Sequence, residues 1–283
     1  MKVFFSFAEA RGYVKQGPFL ISYRNVLFPF WWNLTGARKW TIFTPGRFDR
    51  SKPVPAFQRS SYATHLTHNV VSVFDPLLLR NKDLALGWFL GVKNVDHSEM
   101  LGDLFRALSK EFSFSGRDAH IYASSGGGLP ALRIATQLPH VSVYLTNVQT
   151  DPRRYYPKFY KQMTKVAFAG MSEEEIDRRY GERLSSYAWD GDFHLTYAQN
   201  LADQFHYLRH FVPYLQAQAR SINQLKTLEF VTYDDPVSGH GVLPRATELA
   251  IIEAMHHRLP IAELLPKGRM CDADHRKKAL VHG

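Results

Sequence analysis

Cysteine is nearly absent: the 283-residue chain has one, Cys271. That excludes an internal disulfide and a zinc site built on thiolates, and Cys271 reads as a bystander. Long apolar runs are missing too, and no segment approaches the length that spans a bilayer. The start does not resemble a secretory signal, because Glu9 and Arg11 interrupt the apolar stretch behind Met1-Lys2. A cytoplasmic protein is expected, with the inner face of the membrane as a compatible place of work. Internal repeats and low-complexity blocks are lacking. So are recognition-helix, zinc-finger and RNA-binding-sheet motifs, so nucleic acid is not an expected partner.

What is present is an ordinary globular balance, 45% hydrophobic and 22% charged, long enough for one large domain or a domain with a lid. Aromatic residues reach 14% and the net charge is +9. The charge favours anionic partners such as an acidic polymer or acidic lipid. The basic residues are scattered, apart from Arg276-Lys277-Lys278 near the end. The cluster Leu27-Phe-Pro-Phe-Trp-Trp32 reads as core beneath a loop, with a membrane or subunit contact as the alternative.

The most informative stretch is Asp118-Ala-His-Ile-Tyr-Ala-Ser-Ser-Gly-Gly-Gly-Leu-Pro-Ala131. It reads as strand, tight turn and helix with a serine at the turn, the layout of a nucleophile elbow. Strand and helix pass closely there, so small residues are needed two places either side of the nucleophile. Ser125 has Ala123 and Gly127; Ser124 has Tyr122 and Gly126, and the tyrosine would be crowded. Ser125 is therefore the candidate nucleophile. The same glycines would also suit a flexible turn or a phosphate-cradling loop.

Around it, strands are expected at 2–7, 40–44, 69–74, 119–123, 141–147, 194–199 and 225–233. Helices are expected at 77–90, 99–112, 127–138, 153–168, 172–186, from 200 to about 219, and 244–258. The alternation predicts an α/β fold, a mostly parallel sheet flanked by helices. The two polar helices without a neighbouring strand predict a helical cap. The expected organisation is a core of 1–150 and 191–265, a cap of 151–190 and a tail of 266–283. Ser172-Glu-Glu-Glu175 has capping-box spacing.

In hydrolase-type α/β folds the order along the chain is serine, acid, histidine. Asp203 follows one expected strand and His240 the next, between glycines in a polar loop. His240 is the candidate base and Asp203 the candidate acid, with Asp234 and Asp235 as alternatives nearer in sequence. The Gly126 N–H is expected to donate to an oxyanion, with Ala8 or Glu9, after the early strand, as the second donor. His206 and His210 have the spacing of a metal pair, but with no carboxylate or third histidine evident nearby no metal is expected. His65 and His68 read as a scattered surface pair, and Asp75-Pro76 as a helix cap.

Four blocks carry a resemblance: Tyr122-Ala-Ser-Ser-Gly-Gly-Gly128, Asn147-Val-Gln-Thr-Asp151, Tyr197-Ala-Gln-Asn-Leu-Ala-Asp203-Gln-Phe-His206 and Asp234-Asp-Pro-Val-Ser-Gly-His240-Gly. Asn69-Val-Val-Ser-Val-Phe-Asp-Pro76 and Trp88-Phe-Leu-Gly91 fit the same pattern. In this order they resemble bacterial α/β-hydrolase-like proteins of surface-glycan loci, some similar to capsular-polysaccharide O-acetyltransferases. Ala123 departs from the pattern, where glycine is commoner. The resemblance implies Ser125 as nucleophile, Asp203 as acid in preference to Asp235, and His240 as base. It implies acetyl-CoA as co-substrate with no bound cofactor, an anionic polysaccharide as acceptor, and an association with capsule machinery. Arg153, Arg154 and Lys158, with Lys161 and Lys165, would then form a basic wall, or else merely a solvated helix face. A serine esterase acting on acylated glycan is the alternative activity, and a non-catalytic glycan-binding partner is the alternative class.

Overall fold

The computed structural model describes residues 1–220 and 227–266. The tail from 267, with Cys271 and Arg276-Lys277-Lys278, and the first two residues of the strand expected at 225–233 lie outside them. Among the described residues no helix is long and apolar enough to cross a membrane.

The chain opens with β1 (Val3–Phe4), α1 (Phe7–Tyr13), β2 (Gln16–Tyr23), β3 (Val26–Asn33), β4 (Trp40–Thr44) and β5 (Asn69–Val73). Next come α2 (Leu77–Arg80), α3 (His97–Glu111), β6 (Ala119–Ser124), α4 (Gly128–Ala135) and β7 (Ser142–Thr146). Two helices, α5 (Pro157–Ala167) and α6 (Glu173–Leu184), precede β8 (His194–Asn200). The short α7 (Gln204–His206), α8 (Val212–Arg220), β9 (Thr227–Tyr233) and α9 (Arg245–His257) complete the order. The strands form one sheet in the order β1-β2-β3-β5-β4-β6-β7-β8-β9. All pairings from β5 to β9 are parallel, and β3 is antiparallel to both neighbours. The expected α/β fold, mostly parallel and covered by helices on both faces, is the observed one. One apolar core beneath α3 and α4 includes Leu101, Phe105, Leu132 and Ile134. A second, on the α9 face, includes Tyr122, Tyr144, Ile251 and Ile252.

The departures from expectation are local and physical. The strand expected at 2–7 is only Val3–Phe4, because Ser6 caps α1 by accepting from Glu9 N (3.2 Å) while Glu9 Oε2 accepts from Phe5 N (2.9 Å). The aromatic cluster at 27–32 is not under a loop: it is β3, paired with β2 through a tight turn whose Arg24 and Asn25 both have positive φ. Phe28, Phe30 and Trp32 alternate into the core while Leu27 is exposed, an alternation hidden by the unbroken aromatic run. The helix expected at 77–90 stops at Arg80, where the Asn81 side chain accepts from Asp83 N (2.9 Å) and starts a turn. Asp75 does cap, accepting from Leu77 N (2.9 Å), and its other oxygen accepts from Phe89 N (2.8 Å). Helix α6 begins as its spacing predicts, Ser172 Oγ accepting from Glu175 N (3.2 Å).

His65 and His68 are not a surface pair. His65 is exposed, but His68 is buried with His256 against Thr41 Oγ1 (2.6 and 3.0 Å), and the His120 ring lies 4.0 Å from that of His256. Burial, then the nearby Lys39, pushes the His68 imidazole down to about 4. Burial, then His68, pushes His120 to about 3, and His256 is lowered in the same direction. These groups bind fewer protons folded than unfolded, so acid favours the unfolded chain. Denaturant midpoints should be level above about pH 6.5 and fall steadily towards about pH 4, each imidazole adding about 1.4 kcal/mol per pH unit. His120→Leu should make that slope shallower; an unchanged slope would rule out this cluster as its cause.

Candidate active site

Strand β6 ends at Ser124, a single 3-10 turn spans Ser125–Gly127, and α4 starts at Gly128. Ser125 has φ +52°, the left-handed region, where a serine is held only by its surroundings. Three crowded glycines show what holds it. A Cβ on Gly126 would lie 2.4 Å from Leu86 Cδ1, on Gly127 2.7 Å from Thr44 O, and on Gly128 2.6 Å from Val148 Cβ. Thr44 Oγ1 also donates to Gly127 O (2.8 Å). The glycine run is thus the contact surface of a closely packed turn, rather than a flexible one.

The two serines have different surroundings. Ser124 Oγ accepts from Arg59 Nη2 (3.1 Å). That guanidinium forms a buried ion pair with Glu248 (2.9 Å), whose carboxylate also accepts from the Tyr62 and Tyr122 hydroxyls. Burial opposes the Glu248 charge, but Arg59 outweighs it and holds the carboxyl below the usual range. Ser125 faces the other way: its Oγ lies 3.2 Å from His240 Nε2, and His240 Nδ1 lies 2.8 Å from Asp203 Oδ2.

Local structure sets this line. His240 sits in the loop after β9. Asn200 Nδ2, at the end of β8, donates to Asp235 O and Gly239 O (both 2.8 Å) and so pins that loop. Asp235 builds the loop, accepting from Val237 N and Ser238 N (both 3.2 Å). Of the three carboxylates considered for His240, Asp203 is the one that reaches it.

Asp203 does more than the sequence suggested. It caps α7, accepting from His206 N (3.3 Å), and takes a second imidazole, His206 Nδ1, at 2.9 Å. The His206 and His240 rings stack at 3.9 Å and 13°. Burial opposes ionisation of Asp203, but hydrogen bonds from His206 and His240 hold its carboxyl well below the usual carboxylate range. Burial also lowers His206, against the pull of Asp203. The premise that no carboxylate or third histidine lies near His206 is therefore overturned: ligand atoms of Asp203, His206 and His240 fall within 4.8 Å of one another. As arranged, both Nδ1 atoms donate protons to the carboxylate, so a metal ion shared by Asp203 and either Nδ1 would have to displace that proton. His210 is turned elsewhere, its Nδ1 accepting from Thr150 N (3.3 Å).

Two expected groups are not brought to the site. Ala8 is exposed in α1, beside the edge strand β1, with β2, β3, β5 and β4 between it and β6. The early strand beside β6 is β4, and it is the loop after β4 that flanks Ser125: a Cβ on Gly46 would lie 3.1 Å from Ser125 Cβ. Gln58 holds that loop, accepting from Gly46 N (2.9 Å) and donating to Arg47 O (3.0 Å). Arg153 is not a free cation, being paired with Asp151 (2.6 Å) and Asp177 (3.1 Å). Arg154 and Lys158 are exposed.

Gln149, His206 and Trp88 also lie at the site; the sequence did not single them out for it, although each falls in a block of the resemblance. Gln149 Nε2 donates to Ser125 Oγ (3.2 Å), and Trp88 Nε1 donates to Gln149 Oε1 (2.6 Å).

No protein-family model matches the chain, and no curated protein sequence is similar to it. Solved structures do share its fold. The capsule O-acetyltransferase of Neisseria meningitidis serogroup A superimposes with TM-score 0.57 at 12% identity, over 83% of this chain and 94% of that one. A mutant of that enzyme in complex with CoA gives 0.54 at 13%, over 84% and 94%. A putative esterase from Staphylococcus aureus gives 0.55 at 13%, over 86% and 83%. The fold is α/β-hydrolase-like.

A packing prediction follows from the turn. Gly127→Ala should lower stability by about 1–3 kcal/mol in urea titration, because its Cβ meets backbone that cannot retreat. A change within experimental error would show that the turn has slack.

Proposed function

We propose that the protein is an acyltransferase working through an acyl-Ser125 intermediate. The observation that carries this reading is the line from Ser125 Oγ through His240 to Asp203. A serine hydroxyl is a poor nucleophile until a base takes its proton as it attacks. His240 Nε2 is placed to do so, and Asp203 fixes the tautomer that leaves Nε2 free and stabilises the imidazolium. The Gly126 N–H and the loop after β4 are the proposed oxyanion donors, replacing Ala8.

The proposed donor is acetyl-CoA. Ser125 Oγ bonds to the thioester carbonyl carbon, the C–S bond breaks, and the proton passes from Oγ through His240 to the CoA sulfur. An acceptor hydroxyl then gives its proton to His240 and bonds to the acetyl carbon. The Oγ–C bond breaks and the proton returns to Ser125. The CoA complex of the structurally similar capsule enzyme supports this choice of donor.

The proposed acceptor is an anionic bacterial surface polysaccharide, reached on the cytoplasmic side and in association with capsule machinery. The net charge of +9 supports it. So does a strip of rings and cations beside His206. Tyr156, 45% exposed, stacks on Phe205 at 4.1 Å, Arg209 lies over Phe205, and Arg47 lies over Phe159. Exposed Arg154 and Lys158 add charge, while Arg153 is reassigned to holding the 151–190 segment together. That segment, with α5 and α6, is proposed as the cap.

The esterase neighbour favours a second reading, in which water takes the place of the acceptor hydroxyl. Peptide-mapped mass spectrometry after brief incubation with acetyl-CoA separates the two. An acetyl group on Ser125, absent from Ser125→Ala, is the expected result, with turnover in that variant reduced at least about a thousandfold. No adduct with acetyl-CoA, together with Ser125-dependent release of acetate from acylated glycan, would establish the esterase instead.

A further inference from the structure

Gln149 and Trp88 share the environment of the proposed nucleophile, and their hydrogen-bonding chemistry determines its polarity. An indole N–H can only donate. Trp88 Nε1 lies 2.6 Å from one end of the Gln149 amide, so that end is the carbonyl Oε1. The amide nitrogen must then face Ser125 Oγ, at 3.2 Å, and it can only donate there. Ser125 Oγ accepts from Gln149, so its own proton is directed to His240 Nε2, also at 3.2 Å. The second amide N–H is turned to His206 Nε2 (3.5 Å). This agrees with the tautomer that Asp203 imposes on His206.

The arrangement is fixed on every side. Gln149 is fully buried and Trp88 1% exposed. Gln149 N donates to Ser125 O (2.9 Å), locking the residue to the elbow. Trp88 and Phe89 have φ of +52° and +56°, a strained pair. Asp75 Oδ2, accepting from Phe89 N, holds it in place. A strained turn is thus maintained to aim one indole N–H.

We infer that Gln149 is a further catalytic residue, donating to Ser125 Oγ as that oxygen gains negative charge, and that Trp88 is the positioning residue that orients its amide. The inference rests on the acyl-serine reading above. It predicts a directional chain from Trp88 through Gln149, Ser125 and His240 to Asp203, in which each donor has one acceptor.

A fluorophosphonate probe tests it on the full chain, because such probes phosphonylate activated serines without needing the natural substrate. Labelling rates of Ser125 are compared in the wild type, Gln149→Glu, Gln149→Leu and Trp88→Phe, with thermal unfolding midpoints alongside. Gln149→Glu keeps the acceptor for Trp88 but places a carboxylate against Oγ. Its rate should fall at least about tenfold, and at least as far as in Gln149→Leu. Trp88→Phe, which leaves Gln149 Oε1 without its donor, should lower the midpoint and slow labelling several-fold at a temperature where the variant is still folded. A purely structural role predicts the opposite order, with isosteric Glu close to the wild type and Leu impaired. Labelling of Gln149→Glu within twofold of the wild type overturns the inference and leaves the acyl-serine reading standing. If Gln149→Glu does not fold, wild-type labelling in Trp88→Phe overturns it equally. No labelling of wild-type Ser125 overturns both.

Discussion

The site depends on one carboxylate accepting from two imidazoles. Asp203 is 8% exposed, and a buried carboxylate is tolerable only when hydrogen bonds replace the water it has lost. Here His206 N, His206 Nδ1 and His240 Nδ1 all donate to it. The same oxygens start α7, orient both rings and place them in a stack, so capping, packing and polarity share one group. The parallel order of β8 and β9 brings this about by delivering Asp203 and His240 from adjacent strand ends, the region where open α/β sheets form their sites.

On the serine side the constraint is steric. Ser125 is held in a conformation serine disfavours by glycines whose missing side chains let Leu86, the end of β4 and Val148, just after β7, close around it. Behind the turn, the buried Arg59–Glu248 pair takes Ser124 and the Tyr62 and Tyr122 hydroxyls into one satisfied network. Removing one member of such a pair would leave an uncompensated buried charge, typically a loss of about 3–5 kcal/mol. Ser125, the proposed nucleophile, therefore sits between a polar network that fixes the strand and a polar chain that faces outward.

Much of this was legible in the sequence, for definable reasons. The elbow was readable because steric demand acts on neighbours: Ala123 and Gly127 point to Ser125, and Tyr122 argues against Ser124. The fold was readable because strand and helix alternate with contrasting periodicities. The β2–β3 hairpin was not, because an unbroken aromatic run conceals which side chains face inward. Ala8 was misplaced because the first strand in sequence lies at the sheet edge, and only strand order identifies the neighbour of β6. His206 and Gln149 were passed over because their places at the site come from hydrogen bonds that spacing does not encode. Arg153 looked free because Asp177, which neutralises it with Asp151, lies 24 residues further on, in α6.

The most direct test of this account is the protonation of the two stacked imidazoles, read by nitrogen NMR at mildly alkaline pH. At that pH His206 and His240 should each carry a proton on Nδ1 and none on Nε2, both directed to Asp203, with the pattern lost in Asp203→Asn. A proton on Nε2 of His240 in place of Nδ1 would break the chain of donors from Ser125 to Asp203, and one on Nε2 of His206 would take the second imidazole donor from the carboxylate; either result would contradict the account.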